Sequence, residues 1–277
     1  MSKVCFVNNR YQKIEEGAVR ADDIGILRGY GVFDYIRTYG GEFFLIDKHV
    51  DRFFSSAETL NLNIDLSKKK IKEIAYELKE KNNLKECAVR LIATGGKTIK
   101  SRNYGKNSTF IALCRPIKTP PENVYEQGAE LLTLEYKRPL PEAKHNNYLL
   151  PLSQKERLEK EGKFDFLYID EGVVFESVTS NFFLVKEGKI ITPQKGILRG
   201  VTRGVVIDLI KDKFEFEERT VTLKELKAAD EAFLTSTSKE VLPVTRVDNF
   251  EIGSGEVGEL TKEAMLLFKK KVENFKK

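Results

Sequence analysis

Three short stretches hold the residues best able to do chemistry: Lys144-His145-Asn146-Asn147-Tyr148, Val174-Phe175-Glu176-Ser177-Val178-Thr179-Ser180-Asn181 and Gly200-Val201-Thr202-Arg203. A lysine amine can condense with an aldehyde, and a carboxylate can keep the nitrogen of an aromatic ring protonated. A glycine-led helix start offers unpaired N–H groups to a phosphate. Taken in this order, the stretches are the parts needed to hold pyridoxal 5'-phosphate. None of them is specific alone.

Other chemistries find less material. Thr94-Gly95-Gly96-Lys97-Thr98 contains the Gly-Lys-Thr of a nucleotide-binding loop, but the first glycine of that motif falls on Leu91, so a turn between strands is expected. Cys5, Cys87 and Cys114 are far apart and odd in number, which favours reduced, buried thiols over a disulfide framework or a metal knuckle. His49 and His145 are the only histidines, leaving little for a histidine zinc site or a Ser-His-Asp triad; His49 is expected at a helix start.

The net charge of +5 arises from 47 basic and 42 acidic residues that are interspersed, not segregated. The densest basic run, Lys68-Lys69-Lys70, opens an amphipathic helix with Ile71, Ile74, Ala75 and Leu78 on its apolar side, and so reads as a solvated face rather than a nucleic-acid patch. No stretch is apolar for long enough to cross a membrane, and the N-terminus lacks a basic-then-apolar leader, so a cytoplasmic location is expected.

The elements that must position these residues follow from periodicity. Glu42–Ile46 is strand-like, His49–Leu62 has helical spacing through Phe53, Ala57 and Leu60, and a second helix is expected over Ser67–Lys81. Strands are expected at Cys87–Thr94, Thr109–Cys114 and Leu131–Tyr136. A helix carrying Leu149, Leu152 and Leu158 follows Lys144, then hairpins turn at Asp170-Glu171-Gly172 and Lys186-Glu187-Gly188-Lys189. Next come a helix from about Thr202, strands Glu231–Ser236 and Val241–Val247, and a last helix from about Glu259.

A chain of 277 residues exceeds the usual single core, which favours two domains. The stretch Arg115–Asn123 concentrates three prolines among polar residues and disfavours both helix and central strand. It divides an N-terminal domain, 1–118, from a C-terminal domain, 126–277, across a linker at 119–125.

In order and wording, these residues resemble the class IV, fold-type IV pyridoxal-phosphate aminotransferases, a group that includes D-amino acid aminotransferase, branched-chain aminotransferase and aminodeoxychorismate lyase. The likeness covers nearly the whole length, from Arg28-Gly29-Tyr30-Gly31-Val32-Phe33-Asp34 through His49-Val50-Asp51-Arg52 to Thr235-Ser236-Thr237-Ser238-Lys239-Glu240. It implies a two-domain α/β (α+β) fold, with a small N-terminal α/β domain, a larger barrel-like C-terminal domain and the cofactor at their junction.

The resemblance also implies roles. Lys144 matches the lysine that links to the cofactor and shuttles the proton at the substrate Cα; by itself it reads as a surface lysine. Glu176 matches the partner of the pyridine nitrogen, and Tyr148 the tyrosine that hydrogen-bonds the ring hydroxyl. Arg52 matches the phosphate-binding arginine, whose fork can hold two oxygens at once. Val201, Thr202 and the hydroxyl of Thr237 complete the phosphate cup. Arg28, Arg90 and Ser238 fall at substrate-binding positions, the Arg28 loop resembling a segment that serves the neighbouring subunit of a homodimer.

Substrate patterns divide. Branched-chain members usually carry a tyrosine where Ala88 stands, and tend to carry one where Arg28 stands. The well-known D-amino acid enzymes carry an Arg-x-His where this chain has Ser101-Arg102-Asn103. Two guanidiniums, Arg28 and Arg90, suit carboxylate-bearing substrates such as D-glutamate and 2-oxoglutarate. Arg28 could instead bind a structural carboxylate, Asp22 or Asp23. The expectation is a D-amino acid transaminase, with an L-branched-chain transaminase as alternative and aminodeoxychorismate lyase or a non-catalytic binding protein behind it.

Overall fold

Alternating β-branched and aromatic residues build a six-stranded antiparallel sheet in the first of two units. The computed structural model describes residues 3–100, 103–104 and 108–275. In chain order the first unit contains β1 (Val4–Val7), β2 (Arg10–Lys13), α1 (Ile24–Arg28), β3 (Gly31–Tyr39), β4 (Glu42–Phe43), α2 (Ile46–Thr59), α3 (Lys68–Lys81) and β5 (Ala88–Thr94), then the small pair β6 (Thr98–Lys100) and β7 (Asn103–Tyr104), and β8 (Thr109–Arg115). The sheet order is β2-β1-β8-β5-β3-β4.

Because side chains alternate across a strand, β3 presents two different faces. Val32 and Ile36, with Val89, Leu91 and Ala93 of β5, pack against Phe53 and Ala57 of α2 and Ile71, Ile74 and Leu78 of α3. Phe33 and Tyr35 lie on the opposite face, where the register sets Tyr35 beside Arg90 and Phe33 beside Ile92. All three cysteines are buried free thiols.

The second unit contains α4 (Glu122–Gln127), β9 (Ala129–Glu135), α5 (Leu149–Ser153), α6 (Lys155–Lys160), β10 (Asp165–Asp170), β11 (Val173–Ser177), β12 (Asn181–Lys186), β13 (Lys189–Pro193), α7 (Val201–Ile210), β14 (Phe216–Arg219), β15 (Val221–Thr222), α8 (Leu223–Lys227), β16 (Glu231–Ser236), β17 (Glu240–Val247), β18 (Phe250–Glu251) and α9 (Glu259–Phe275). Its ten-stranded sheet is mixed: β9 runs parallel to both β10 and β17, whereas β10–β11 and β12–β13 are antiparallel hairpins. Phe182, Leu184, Leu234 and Leu242 form the middle of one core cluster. Among the described residues, no helix is long and apolar enough to cross a membrane.

Four expectations need correction. The strand expected over Glu42–Ile46 stops at Phe43, because Leu45 takes a left-handed φ of 49° and caps α2. His49 therefore lies inside the helix, buried, rather than at its start. The expected linker 119–125 contains the beginning of α4, with Pro121, whose ring fixes φ, at its N-cap. Finally, the segment Ala143–Asn147 belongs to the first unit, so 126–277 is not one uninterrupted domain. That segment pairs with the start of β3: the Phe33 N–H donates to the Lys144 carbonyl at 2.9 Å and the Asn146 N–H to the Gly31 carbonyl at 2.9 Å. Gly31 permits the close packing here, since a Cβ there would sit 2.8 Å from both the Ala93 carbonyl oxygen and the Asn146 side-chain nitrogen.

Candidate active site

Helix α2 organises the candidate residues of the first unit. Arg52 and Ser56 are one turn apart on the same helix face. The Ser56 hydroxyl accepts the backbone N–H of Lys144 at 3.0 Å. Lys144 is thus held at its backbone on both sides, and its Nζ lies 4.7 Å from the centroid of the Phe33 ring. The Arg90 guanidinium carbon lies 5.3 Å from the same ring and 5.8 Å from that of Tyr35. One aromatic side chain therefore contacts both the candidate lysine and one of the two candidate carboxylate-binding arginines.

Arg52 is placed differently from the expectation that its fork is open for a phosphate. Its Nε and Nη2 donate to the two carboxylate oxygens of Asp34, each at 2.8 Å. Only Nη1 lies outside that pairing. Asp34 is fully buried and also meets His49 Nδ1 at 2.7 Å. Burial would raise its pKa, yet the charges of Arg52 and then His49 outweigh this and hold the carboxyl well below its usual range. Burial likewise lowers His49, and the attraction of Asp34 only partly offsets it. In the sequence Asp34 stands only as the last residue of the family-like stretch Arg28–Asp34, and nothing there points to its pairing with Arg52.

Arg28 ends α1, with its side chain exposed and Nη1 donating to the Leu27 carbonyl at 2.7 Å. The two acidic residues that could have engaged it are otherwise occupied. Asp22 takes the Arg20 guanidinium, and Asp23 accepts the Gly25 N–H and the hydroxyls of Thr94 and Thr109. Ser101 and Arg102, part of the substrate pattern, lie outside the described residues.

In the second unit, Glu176 on β11 is buried among three donors. Arg138 Nη1 reaches its Oε1 at 2.6 Å, while the Asn181 side-chain amide and the Leu198 N–H reach Oε2 at 3.1 Å each. An ionised carboxylate accepts hydrogen bonds only, which suits these N–H donors. Arg138 was missed in the sequence, where it is one polar residue among many near Pro139. Burial raises the phenol pKa of the neighbouring Tyr168, on which Asp165, Tyr148, Arg138 and Glu176 also act electrostatically. Tyr148 itself is the half-buried N-cap of α5.

Gly200 caps α7 without a side-chain hydrogen bond, so no residue of the cap occupies the N–H groups of the first turn, which starts with Val201 and the buried Thr202. A Cβ on Gly200 would fall 2.1 Å from Asn181 Oδ1, displacing the side chain that supports Glu176. Thr237 and Ser238 sit half-buried in the turn between β16 and β17. The residues present fit pyridoxal phosphate in chemical kind: an amine fixed at its backbone, a buried carboxylate among hydrogen-bond donors and an uncapped helix start.

Comparison with known proteins agrees. The family described as amino-transferase class IV matches residues 31–247. A Methanocaldococcus jannaschii protein, named provisionally as a branched-chain-amino-acid aminotransferase, is 35% identical over 276 residues, covering 95% of this chain and 94% of that protein. A D-alanine aminotransferase of Bacillus licheniformis is 35% identical over 266 residues, covering 94% and 93%. The crystal structure of the T.th. branched-chain amino acid aminotransferase complexed with N-(5'-phosphopyridoxyl)-L-glutamate superposes with a TM-score of 0.88 at 26% identity, over 99% of this chain and 95% of that one. The fold, the kinds of residue assembled in each unit and the family match over most of the length lead to one conclusion: the chain belongs to the class IV aminotransferases.

Proposed function

We propose that this enzyme moves an amino group between a D-amino acid, such as D-alanine or D-glutamate, and a 2-oxo acid, 2-oxoglutarate or pyruvate, in two alternating half-reactions. Its cofactor is pyridoxal 5'-phosphate. When bound, the cofactor supplies an aldehyde that condenses with amines and a ring that accepts the electron pair left at the substrate Cα.

The chain's own residues do the rest. Lys144 Nζ carries the cofactor at rest and moves the Cα proton during turnover. Glu176, which accepts hydrogen bonds from Arg138, Asn181 and the Leu198 N–H, holds the ring nitrogen protonated, and Tyr148 hydrogen-bonds the ring hydroxyl. Arg52 contributes Nη1 to the phosphate, together with the N–H groups of Val201 and Thr202 and the Thr237 hydroxyl. Arg90, Arg28 and Ser238 bind substrate carboxylates, Arg28 from the neighbouring subunit of a homodimer. The exposure of Arg28, with Ile26 and Leu27 exposed beside it, supports that last role.

The observation that carries the substrate reading is the shared contact with Phe33. A carboxylate paired with Arg90 would sit beside the Phe33 ring that the amine of Lys144 also approaches. An aliphatic side chain offers nothing for a second guanidinium, Arg28, to hold. Ala88, where branched-chain members usually have tyrosine, points the same way. The second reading, an L-branched-chain transaminase, is favoured by the M. jannaschii relative and by the branched-chain enzyme that superposes so closely. Stereospecific half-reactions separate the two. Purified holoenzyme mixed with D-alanine or D-glutamate is expected to lose its cofactor absorbance quickly, whereas rapid conversion with L-leucine or L-valine and none with the D-amino acids rejects the D-specific reading.

A further inference from the structure

Lys239 is a buried cation that no role above uses. Only 9% of it is exposed, although lysine is among the residues least often buried. Its Nζ donates to the Thr179 hydroxyl at 2.6 Å and the Ser180 hydroxyl at 2.9 Å, with Asp165 Oδ2 at 3.4 Å. Asp165 is itself anchored, its Oδ2 accepting the Ser177 hydroxyl at 3.1 Å and its Oδ1 the Phe166 N–H at 2.9 Å. The lysine's backbone is pinned as well: its N–H donates to Ser236 Oγ at 3.3 Å and its carbonyl accepts the Tyr125 hydroxyl at 3.1 Å.

The two loops joined this way are the informative part. Lys239 closes the turn that carries Thr237 and Ser238, and its ammonium is gripped by Thr179 and Ser180, in the turn that leaves Glu176 and returns at Asn181. We propose that Lys239 is a positioning residue: it fixes the Thr237 turn, at the phosphate end of the cofactor, to the loop that carries the ring-nitrogen partner Glu176. A buried ammonium without such partners is strongly unfavourable, so this turn has one well-defined position for as long as the three acceptors remain. Loss of the charge frees the turn, and the loss falls first on the Thr237 hydroxyl's hold on a phosphate. The inference rests on the reading of Thr237 and Glu176 as cofactor-binding residues.

A comparison of two cofactor forms tests it, because pyridoxal lacks the phosphate. Dissociation constants are measured for full-length wild type and Lys239→Met, first for pyridoxal phosphate by dilution of the holoenzyme, then for pyridoxal after reloading. The expected result is about tenfold weaker binding of pyridoxal phosphate, the scale of hydrogen bonds to a charged group, with pyridoxal affinity little changed. Lys239→Arg, which restores the charge, recovers most of the loss. If Lys239→Met does not fold, Thr179→Val removes one acceptor and is expected to shift the same ratio by a smaller factor. Equal weakening for both ligands means a general structural role and overturns the inference, as does unchanged affinity for pyridoxal phosphate. Wild type that binds no pyridoxal phosphate overturns the reading of the cofactor site beneath it.

Discussion

Arg52 turns Nε and Nη2 onto the two oxygens of Asp34, each at 2.8 Å, one helical turn before Ser56 takes the backbone N–H of Lys144. The phosphate-binding candidate and the catalytic candidate are therefore set by one helix. Asp34 is the anchor on which the arginine's aim depends.

This anchor has a pH signature. The carboxyl of Asp34 is depressed below its ordinary value of 3.8, so its contribution to stability is complete above that value and is lost as pH falls through the folded-state pKa. His49 is depressed below 6.5; its neutral form is favoured in the folded protein, and its contribution is full above 6.5 and declines as pH falls below it. Both act on the acid side, in two stages. Thermal unfolding followed from pH 8 downward is expected to show Tm beginning to fall near pH 6.5, and His49→Gln to lose that first stage. Asp34→Asn leaves the mostly buried Arg52 without its partner and is expected to cost about 3 kcal/mol. An unchanged slope in His49→Gln contradicts the assignment.

Glu176→Gln keeps the shape but removes the charge that Arg138 and the ring nitrogen share. Proton abstraction at Cα is expected to slow by roughly 10²-fold or more, the scale for losing one preorganised electrostatic contact, while cofactor binding weakens far less. Stopped-flow half-reactions and a cofactor titration measure the two separately. Wild-type rates in Glu176→Gln remove it from the role of ring partner.

Arg90 and Arg28 are tested by substrate. Neutralising either is expected to cost roughly 2–5 kcal/mol in kcat/KM, as when one partner of a desolvated charge pair is lost. The loss is larger for D-glutamate than for D-alanine at whichever arginine meets the distal carboxylate. Lysine at these positions rescues only in part, lacking the two-pronged geometry. Equal losses for both donors argue against any contact with the distal group.

Much of this was legible in the sequence because it rests on local rules. The helix Lys68–Lys81 follows its apolar spacing and the Ser67 cap, and the two hairpins turn where Gly172 and Gly188 allow it. What stayed hidden depends on contacts distant in sequence. β3 did not read as a strand because it is buried on both faces, leaving no alternation to detect. Arg138 meets Glu176, and Asp34 meets Arg52, only after the chain has folded back. The placement of Lys144 with the first unit rests on pairing with Gly31 and Phe33, more than a hundred residues upstream, which no spacing within 126–277 could reveal.

The central claim is that Lys144 carries the cofactor. Reduction of the purified holoenzyme with borohydride, followed by peptide mapping, measures this directly. The pyridoxyl group is expected on the peptide containing Lys144-His145-Asn146-Asn147-Tyr148, and Lys144→Ala is expected to retain cofactor through its phosphate contacts while turnover collapses. A reduced adduct on any other lysine contradicts the account.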